Sequence, residues 1–312
     1  MKTERVIVTG AAGFIGSNIS KSLLNQGYVV VGIDDLSTGR KENLADIEDF
    51  DTFEFHKCDI NHLDQLIELM DRGDYVIHQA ALPSVPKSVA DPISSNHANI
   101  DGTLTTLVAA RDSGIKKFVF ASSSAVYGDS PILPKREDMV PEPLTPYALN
   151  KLTGELYCDL FTKLYGLKTI CLRYFNVFGP KQDPGSEYAA VIPKFITAVM
   201  NDTPPTIFGD GLQTRDFAFV EDVATANITA MKSEANGVYN IAGGRGVTLL
   251  ELAEIVNNIF GKDLRPVFKD TRAGDIKHSV ADVKKAKECL GFELQYSLEQ
   301  GLEKTVEYFS KK

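Results

Sequence analysis

The chain has 312 residues, 43% of them hydrophobic and 24% charged, which suits one large or two modest globular domains with a sizeable core. Its formal net charge of −9 argues against nucleic acid and anionic membrane surfaces as partners, although a local basic pocket stays open. The start of the sequence lacks the apolar segment of a signal peptide and no long apolar run follows, so we expect a cytoplasmic protein without a membrane span. Four widely spaced cysteines without a CxxC pair predict buried, reduced thiols.

Short apolar runs alternate with amphipathic stretches up to about residue 178. The runs are RVIVTG, YVVVGID, FEFHKCDI, DYVIHQA, KKFVFASS and KTICLRYFN. Strands that alternate with helices predict an α/β fold with a doubly wound parallel sheet of the Rossmann type. Later turn-rich loops and two amphipathic helices predict a smaller, interleaved C-terminal α/β domain. We assign 1–178, with a returning segment near 215–245, to the first domain, and 179–214 with 246–312 to the second.

The first predicted strand ends in a glycine-rich turn, TGAAGFIGS, which leads into the first predicted helix. Gly10 would permit the tight turn, Gly13 would admit a pyrophosphate close to the backbone, and Gly16 would let helix and strand pack closely. The start of the helix would supply free N–H groups and the positive end of its dipole. Because a strand precedes the glycines and a helix follows them, the turn predicts a dinucleotide site.

Two acidic residues end the next strands. Asp34, 18 residues after Gly16, can accept hydrogen bonds from the adenosine ribose and would repel a 2′-phosphate, which favours NAD over NADP. Arg40 and Lys41 follow closely and leave NADP open. Asp59 either simply ends a strand or accepts a hydrogen bond from the adenine amino group.

The stretch YALNK places Tyr147 and Lys151 one helical turn apart. One interpretation is a packed Tyr beside a surface Lys at a helix start. The other is a proton-transfer pair, because a phenol is a poor base at neutral pH and a nearby ammonium stabilises its phenolate.

A resemblance to a known family favours the second interpretation. TGAAGFIG, HQAA, SSSAVYG, YALNK and RYFNVFGP resemble the extended short-chain dehydrogenase/reductase family, and GDGLQTRDFAFVEDV and RAGDIKHSVAD resemble its NAD-dependent sugar-nucleotide epimerase/dehydratase branch. The resemblance covers essentially the whole chain. It implies NAD as cofactor, Tyr147 as the proton-transfer group, Lys151 as a ligand of the nicotinamide ribose, and Ser123 as a hydrogen-bond partner of the sugar. The expected cofactor contacts are Gly10, Gly13, Phe14, Ile15, Gly16, Asp34, Asp59, Ile60, Ala80, Asn99, Tyr147 and Lys151.

The two positions after Ser123 bear on the reaction. Related dehydratases carry an Asp-Glu pair there, whereas this chain has Ser124 and Ala125, so dehydration has no visible catalyst. The resemblance then implies 4-epimerisation of UDP-hexoses through a transient 4-keto sugar. The alternatives are another nucleotide-sugar reaction, such as epimerisation or decarboxylation of UDP-glucuronate, and a non-catalytic dinucleotide-binding protein.

The second half of the chain supplies expected contacts of a UDP-sugar. Arg215 and Arg272 could clamp a diphosphate, and Ser279 resembles a size gate whose small residue leaves room for an N-acetyl group. Surface salt bridges and core packing are the alternative roles for such residues. The expected substrate contacts are Ser84, Ser123, Ser124, Asn176, Val191, Phe208, Arg215, Arg272, Asp275 and Ser279.

Two further expectations concern metals and partners. The five histidines show no ligand spacing, so no metal site is expected. Leu149, Leu152, Leu156 and Leu160 recur at helical spacing, which predicts core packing. The family resemblance adds a homodimer through a four-helix bundle.

Overall fold

The computed structural model describes residues 3–185, 190–271 and 277–311. Within these ranges the strands are β1 (Arg5–Thr9), β2 (Val29–Asp34), β3 (Phe53–Lys57), β4 (Tyr75–His78), β5 (Lys117–Ser123), β6 (Lys168–Tyr174), β7 (Val177–Phe178), β8 (Thr206–Phe208), β9 (Thr214–Asp216), β10 (Ala218–Phe219), β11 (Gly237–Ile241), β12 (Gly246–Thr248) and β13 (Val267–Lys269). The helices are α1 (Phe14–Asn25), α2 (Leu63–Met70), α3 (Val85–Ala90), α4 (Pro92–Asn96), α5 (Gly102–Asp112), α6 (Pro146–Tyr165), α7 (Val191–Met200), α8 (Val220–Lys232), α9 (Leu249–Phe260), α10 (Lys284–Leu290) and α11 (Leu298–Ser310). None of these helices combines the length and the apolar composition that a membrane crossing requires.

Seven strands form one parallel sheet in the order β11-β6-β5-β4-β1-β2-β3. Their apolar, β-branched residues are buried by helices on both faces, which give two separate core clusters. The order reverses between β1 and β4, so a crevice opens where the carboxyl ends of these two strands diverge. This topology confirms the predicted doubly wound α/β fold.

A second lobe packs around α7, α9 and α11, whose apolar faces share a third core cluster. Short strand pairs, β9 with β12 and β8 with β13, border this lobe. The strand β11 returns to the large sheet, and α10 packs on it through Ala286 and Leu290. The predicted domain boundaries stay a prediction.

The helix α6 buries a different face from the one that the leucine spacing predicts. Leu149, Leu156 and Leu160 are exposed in the single chain, so core packing is wrong for them, while Leu152 is half-buried. The buried face instead carries Lys151 and Glu155. This helix therefore turns two charged side chains toward the interior, and both of these charges need partners there.

The cysteines also depart in part from the expectation. Cys58, Cys158 and Cys171 are buried free thiols, as predicted. Cys289 is exposed on α10, so burial is wrong for this one residue.

Candidate active site

The glycine turn lies at the crevice between β1 and β4 and leaves no room for side chains. Gly10 has a φ of +69°, and a Cβ there would lie 2.7 Å from the backbone nitrogen of Ala80, just after β4. A Cβ on Gly16 would collide with the carbonyl oxygen of Gly10 and lie 2.8 Å from its carbonyl carbon. At Gly10 and Gly16 the strand, the turn and the helix thus approach each other through backbone atoms, as predicted for these glycines.

The start of α1 suits a pyrophosphate. Gly13 is the N-cap residue, and no side chain of the described ranges caps the first turn, which contains no acidic residue. Phe14 and Ile15 begin the helix and pack against the core of the second lobe. Exposed N–H groups at a helix start form an anion site, so this cradle fits the phosphates of a dinucleotide.

Asp34 lies at the end of β2, next to the glycine turn that follows β1. Its carboxylate accepts hydrogen bonds from the backbone nitrogens of Ala12 at 3.0 Å and Leu36 at 2.8 Å. Burial raises its pKa above the ordinary value, although these backbone hydrogen bonds act in the opposite direction. A carboxylate has about four acceptor positions, so these two bonds leave capacity for ribose hydroxyls.

The charges near Asp34 agree with a ribose that carries no 2′-phosphate. The guanidinium of Arg40 is 2.6 Å from the carboxylate of Asp183 in an ion pair, which gives this cation a partner within the chain. Asp59 accepts from the backbone and side-chain nitrogens of Asn61, both at 2.9 Å. Burial opposes its ionisation, but these hydrogen bonds hold the pKa of Asp59 below its ordinary value. Ile60 is buried beside it.

The three predicted catalytic residues come together from β5 and α6. Ser123 ends β5, accepts from the backbone nitrogen of Ala125 at 3.2 Å, and hydrogen-bonds the phenol of Tyr147. The ammonium of Lys151 donates to the carbonyl oxygen of Ala121 at 2.8 Å and lies 6.0 Å from the centre of the Tyr147 ring. A hydroxyl, a phenol and an ammonium thus share one site beside the crevice.

The electrostatics of this group differ from the expectation. Burial raises the pKa of Tyr147, while its hydrogen bond with Ser123 acts in the opposite direction. Burial also lowers the pKa of Lys151 to about 8. The predicted lowering of the Tyr147 pKa by Lys151 is therefore wrong for the chain alone, because desolvation of the phenolate dominates. A further positive charge in the crevice would be needed to favour the phenolate.

Hydrogen bonds fix the start of α6. The side chain of Thr145 caps the helix by accepting from the backbone nitrogen of Ala148 at 3.3 Å. The backbone nitrogen of Tyr147 donates to Ser88 at 3.1 Å.

Asn99, a predicted cofactor contact, accepts from the backbone nitrogen of Leu82 at 2.8 Å. The side-chain nitrogen of Asn99 lies 3.4 Å from the side-chain oxygen of Asn150 on α6, which ties the loop after β4 to the catalytic helix.

Sequence reasoning missed a buried charge network behind the three candidate catalytic residues. Glu155 receives two hydrogen bonds from the guanidinium of Arg173, at 2.8 and 2.7 Å, and one from Ser122 at 2.5 Å. Arg173 also lies over the ring of Tyr127, 4.7 Å from its centre. A signal was present, because Glu155 continues the four-residue spacing of Tyr147 and Lys151.

The predicted diphosphate contacts gather around β9. The side-chain nitrogen of Asn176 donates to the carbonyl oxygen of Asp216 at 3.0 Å. The guanidinium of Arg215, half-buried, donates to the carbonyl oxygen of Thr214 at 2.9 Å, and the backbone nitrogen of Ser279 donates to that oxygen at 3.2 Å. The strand therefore links three of the predicted substrate contacts.

The remaining predicted contacts are more scattered. Val191 begins α7 and Phe208 ends β8, and both are half-buried. Ser124 begins the short turn after β5, and Ser84 caps α3 by accepting from the backbone nitrogen of Lys87 at 3.3 Å. Arg272 and Asp275 lie outside the described residues. Over the three described ranges, no group of three or more His, Cys, Asp or Glu side chains could hold a metal ion.

The collision at Gly16 leads to a prediction. Gly16→Ala should separate α1 from the glycine turn, because the methyl group meets backbone that cannot turn aside, at a cost of about 1–3 kcal/mol or more. We expect a lower melting temperature and loss of the NAD that copurifies or binds on titration. Gly27→Ala, just beyond the other end of α1, is the control: no atom lies within 4 Å of the new Cβ, but the φ of +84° makes an alanine strained. This variant should therefore also lose some stability, yet bind NAD normally. Equal NAD binding by the two variants would contradict the prediction that the glycine turn and the start of α1 bind the phosphates of NAD.

A buried histidine braces the same crevice. The side chain of Thr103 donates to the carbonyl oxygen of Asn99 at 2.6 Å and so accepts from Nε2 of His78, at 3.1 Å. Nδ1 of His78 must then accept from Thr9, at 2.7 Å, whose oxygen accepts from the backbone nitrogen of Ala80 at 3.3 Å. A neutral imidazole is required, and it joins the ends of β1 and β4.

This histidine should make stability depend on pH. Burial, with the nearby charge of Lys151, lowers the pKa of His78 to about 3, whereas an unfolded histidine titrates near 6.5. The unfolded state therefore binds more protons below pH 6.5, and His78 alone should remove about 2 kcal/mol of unfolding free energy between pH 6.5 and 5. Urea denaturation across this range should show a shallower pH dependence for His78→Gln than for the exposed-site control His62→Gln. Equal pH dependence would show that His78 is not the titrating group.

Comparison with known proteins identifies the family of the chain. The sequence model of the NAD dependent epimerase/dehydratase family matches residues 6–242 of the chain. UDP-glucose 4-epimerase of Mycolicibacterium smegmatis is 41% identical over 311 residues, 99% of each chain. The structure of UDP-N-acetylglucosamine 4-epimerase from Methanobrevibacter ruminantium M1, in complex with UDP-N-acetylmuramic acid, is 44% identical, covers 100% of this chain and 99% of that chain, and has a TM-score of 0.96. UDP-glucuronic acid 4-epimerase from Bacillus cereus, solved with UDP-glucuronic acid and NAD, is 35% identical, covers 98% of this chain and 99% of that chain, and has a TM-score of 0.89. The predicted family is confirmed, and NAD as cofactor with it: the chain belongs to the NAD-dependent epimerase/dehydratase family.

Proposed function

We propose that the chain is an NAD-dependent 4-epimerase of UDP-hexoses, acting on UDP-GlcNAc and UDP-GalNAc, on UDP-glucose and UDP-galactose, or on both pairs. The observation that carries the proposal is the meeting of Ser123, Tyr147 and Lys151 at the end of β5, two strands along the same edge of the sheet from the glycine turn after β1. A side chain that could expel water is missing at the position after Ser124, where Ala125 stands. Redox chemistry at the sugar without dehydration is what this set of groups can perform.

Each catalytic group then has a defined task. NAD, when bound, would supply a reversible hydride acceptor for C4 of the sugar. The oxygen of Tyr147 takes the proton of the C4 hydroxyl as the carbon is oxidised and returns it when the ketone is reduced. Ser123 donates a hydrogen bond to the same sugar oxygen, and Lys151 holds the nicotinamide ribose. Because the ketone is reduced on its opposite face, configuration inverts without net oxidation.

The substrate has to be held at its nucleotide end while the sugar turns. Asn176 and Arg215, joined through β9, are the proposed diphosphate ligands, with Arg272 and Asp275 as further ones. Val191 and Phe208 are proposed contacts of the uridine. Tight binding of the nucleotide and loose binding of the sugar lets the ketone present either face without dissociating.

The identity of the sugar depends on small residues. Ser279 would leave room for an N-acetyl group at C2, and Ser84 could hydrogen-bond a substituent of the sugar, which supports UDP-GlcNAc as a substrate. UDP-glucuronate is the second candidate, since one relative carries that name and the exposed Lys87 lies near Ser84 on α3. A carboxylate on the sugar would need such a cation as its partner.

One experiment tests this proposal. UDP-glucose, UDP-GlcNAc and UDP-glucuronate are incubated separately with the protein without added NAD, and NMR follows the configuration at C4. We expect interconversion of C4 epimers for at least one sugar without accumulation of NADH. Net NADH formation, loss of water or loss of carbon dioxide would each overturn the assignment.

We also propose a homodimer in which α5 and α6 of two copies form a four-helix bundle. The exposed leucines of α6, among them Leu156 and Leu160, would be buried in that contact. Leu156→Glu should therefore yield a monomer in size-exclusion chromatography with light scattering. The same change at Leu294, an exposed leucine outside α6, should leave the association state of the wild type unchanged.

A further inference from the structure

A short segment, residues 279–282, runs between the two lobes and is called the strut below. On the side of the second lobe, the backbone nitrogen of Ser279 donates to the carbonyl oxygen of Thr214 at 3.2 Å. The backbone nitrogen of Ala281 donates to the carboxylate of Asp216 at 3.0 Å. Asp216 is fully buried, so this carboxylate is an interior anchor and not a surface contact.

On the side of the large sheet, the strut pairs with the loop that follows the catalytic turn. The backbone nitrogen of Lys135 donates to the carbonyl oxygen of Val280 at 2.7 Å, and that of Asp282 donates to the carbonyl oxygen of Lys135 at 2.8 Å. The side-chain nitrogen of Asn240, near the end of β11, donates to the carbonyl oxygens of Lys135 at 2.9 Å and Asp282 at 3.1 Å. The side-chain amide of Asn240 therefore links both paired segments, the loop at Lys135 and the strut, to the sheet.

The same amide reaches the catalytic turn. Its oxygen accepts from the hydroxyl of Tyr127 at 2.7 Å. Tyr127 ends the short turn that begins at Ser124, immediately after the catalytic Ser123. The side chain of Asn240 is fully buried, and both donors and the acceptor of its amide are in use. A continuous hydrogen-bonded path thus joins the catalytic turn to the strut.

We propose that Asn240 and Asp216 are positioning residues for the sugar, which hold the strut between the lobes and so fix Ser279 relative to the catalytic serine. The proposal rests on the proposed function, in which Ser279 borders the sugar. Neither residue touches the reacting atoms in this account. Their effect is geometric, because a shift of about 1 Å in the placement of a reacting group can lower a rate about 100-fold.

The chemistry of the anchors explains why these residue types stand there. Two carbonyl oxygens need a side chain that donates twice, and the hydroxyl of Tyr127 needs an acceptor on the same group, which an asparagine amide supplies. The backbone nitrogen of Ala281 needs only an acceptor. The carboxylate of Asp216 also accepts from the backbone nitrogens of Gly243, Gly244 and Arg245. An asparagine at position 216 therefore keeps an oxygen for Ala281 but turns its NH2 toward other donors, whereas an alanine keeps no acceptor at all.

The test compares Asn240→Ala with Asn257→Ala. Asn257 is a buried asparagine whose side chain likewise bonds backbone, at the nitrogen and oxygen of Leu264, but it lies on α9 and does not touch the strut. Melting temperature, bound NAD, affinity for UDP, and kcat and KM for the UDP-sugar that the wild type turns over are measured for each. For Asn240→Ala we expect kcat/KM to fall about tenfold or more while the affinity for UDP stays within about twofold. Asn257→Ala should lose stability but keep kcat/KM.

Two further variants keep the test decisive if Asn240→Ala does not fold. Asp216→Ala should lower kcat/KM with UDP affinity retained, and Asp216→Asn, which keeps one acceptor oxygen for Ala281, should recover part of that loss. Parallel losses of UDP affinity and turnover, or equal effects of Asn240→Ala and Asn257→Ala on kcat/KM, would reduce both residues to structural supports and overturn the proposal. A wild type that turns over no UDP-sugar would instead overturn the proposed function, and the positioning role with it.

Discussion

Tyr147→Phe is expected to lower the turnover of UDP-sugars by about 1,000-fold while NAD stays bound, since general acid–base catalysis by one side chain contributes about 10²–10⁴-fold. The substitution removes only the phenolic oxygen, which is the atom that would exchange a proton with the C4 hydroxyl. The ring remains to fill its half-buried position beside Ser123 and Lys151. Fold and cofactor site should therefore survive.

The control for this prediction is Tyr157→Phe, the same change on the same helix. Tyr157 is half-buried against the core of the large sheet, on α6 beyond the catalytic residues. NMR rates of epimerisation, together with NAD content from absorbance after denaturation, separate loss of chemistry from loss of cofactor. Full activity of Tyr147→Phe would remove the basis of the proposed function.

The second large effect is expected from Glu155→Leu. This substitution leaves the guanidinium of Arg173 charged in the interior, where the side chains of the pair are only 5% and 3% exposed. Burial alone would lower the pKa of Arg173, but the hydrogen bonds and charge of Glu155 raise it. Because a guanidinium does not give up its proton, the variant leaves this cation without its counter-ion. Breaking such a buried pair costs about 3–5 kcal/mol. Urea denaturation at pH 7 measures the loss.

Two comparisons show whether the unpaired charge is the cause. The double variant Glu155→Leu with Arg173→Met should be more stable than Glu155→Leu alone, because replacing both ions by apolar groups is often nearly neutral. Asp159→Ala breaks an exposed ion pair with Lys163 on the same helix and should cost at most about 1 kcal/mol. A double variant less stable than either single variant would contradict this explanation. The ion pair itself would then stabilise the fold, beyond the cost of leaving one charge unpaired.

Much of the fold could be predicted because its signals are local. Apolar runs of strand length alternating with amphipathic stretches specify a parallel sheet covered by helices, and the sheet has that form. The glycine turn could be predicted for the same reason. Gly16 makes its close backbone contact within one strand–turn–helix unit, and Gly10 makes one with the segment after the adjacent strand. The spacing of Tyr147 and Lys151 predicted one helix face, and both residues lie on α6 beside the end of β5.

Other features were decided only when distant segments came together. The leucine spacing on α6 could not tell which face meets the sheet, and the structure buries Lys151 and Glu155 because Ala121 and Arg173, on neighbouring strands, supply their hydrogen bonds. The pKa of Tyr147 rises for the same reason, since desolvation depends on what surrounds the ring and not on its neighbours in sequence.

The sequence by itself thus determined the α/β fold, the dinucleotide turn and the candidate catalytic residues, because each depends on periodicity or spacing within a few turns of chain. Only the tertiary structure decided how charges are compensated and how the lobes are joined. Asn240 meets the backbone of Lys135, 105 residues away, and no local pattern specifies that pairing. Buried polar groups must find partners wherever the fold brings a donor or an acceptor, so these contacts become visible only in three dimensions.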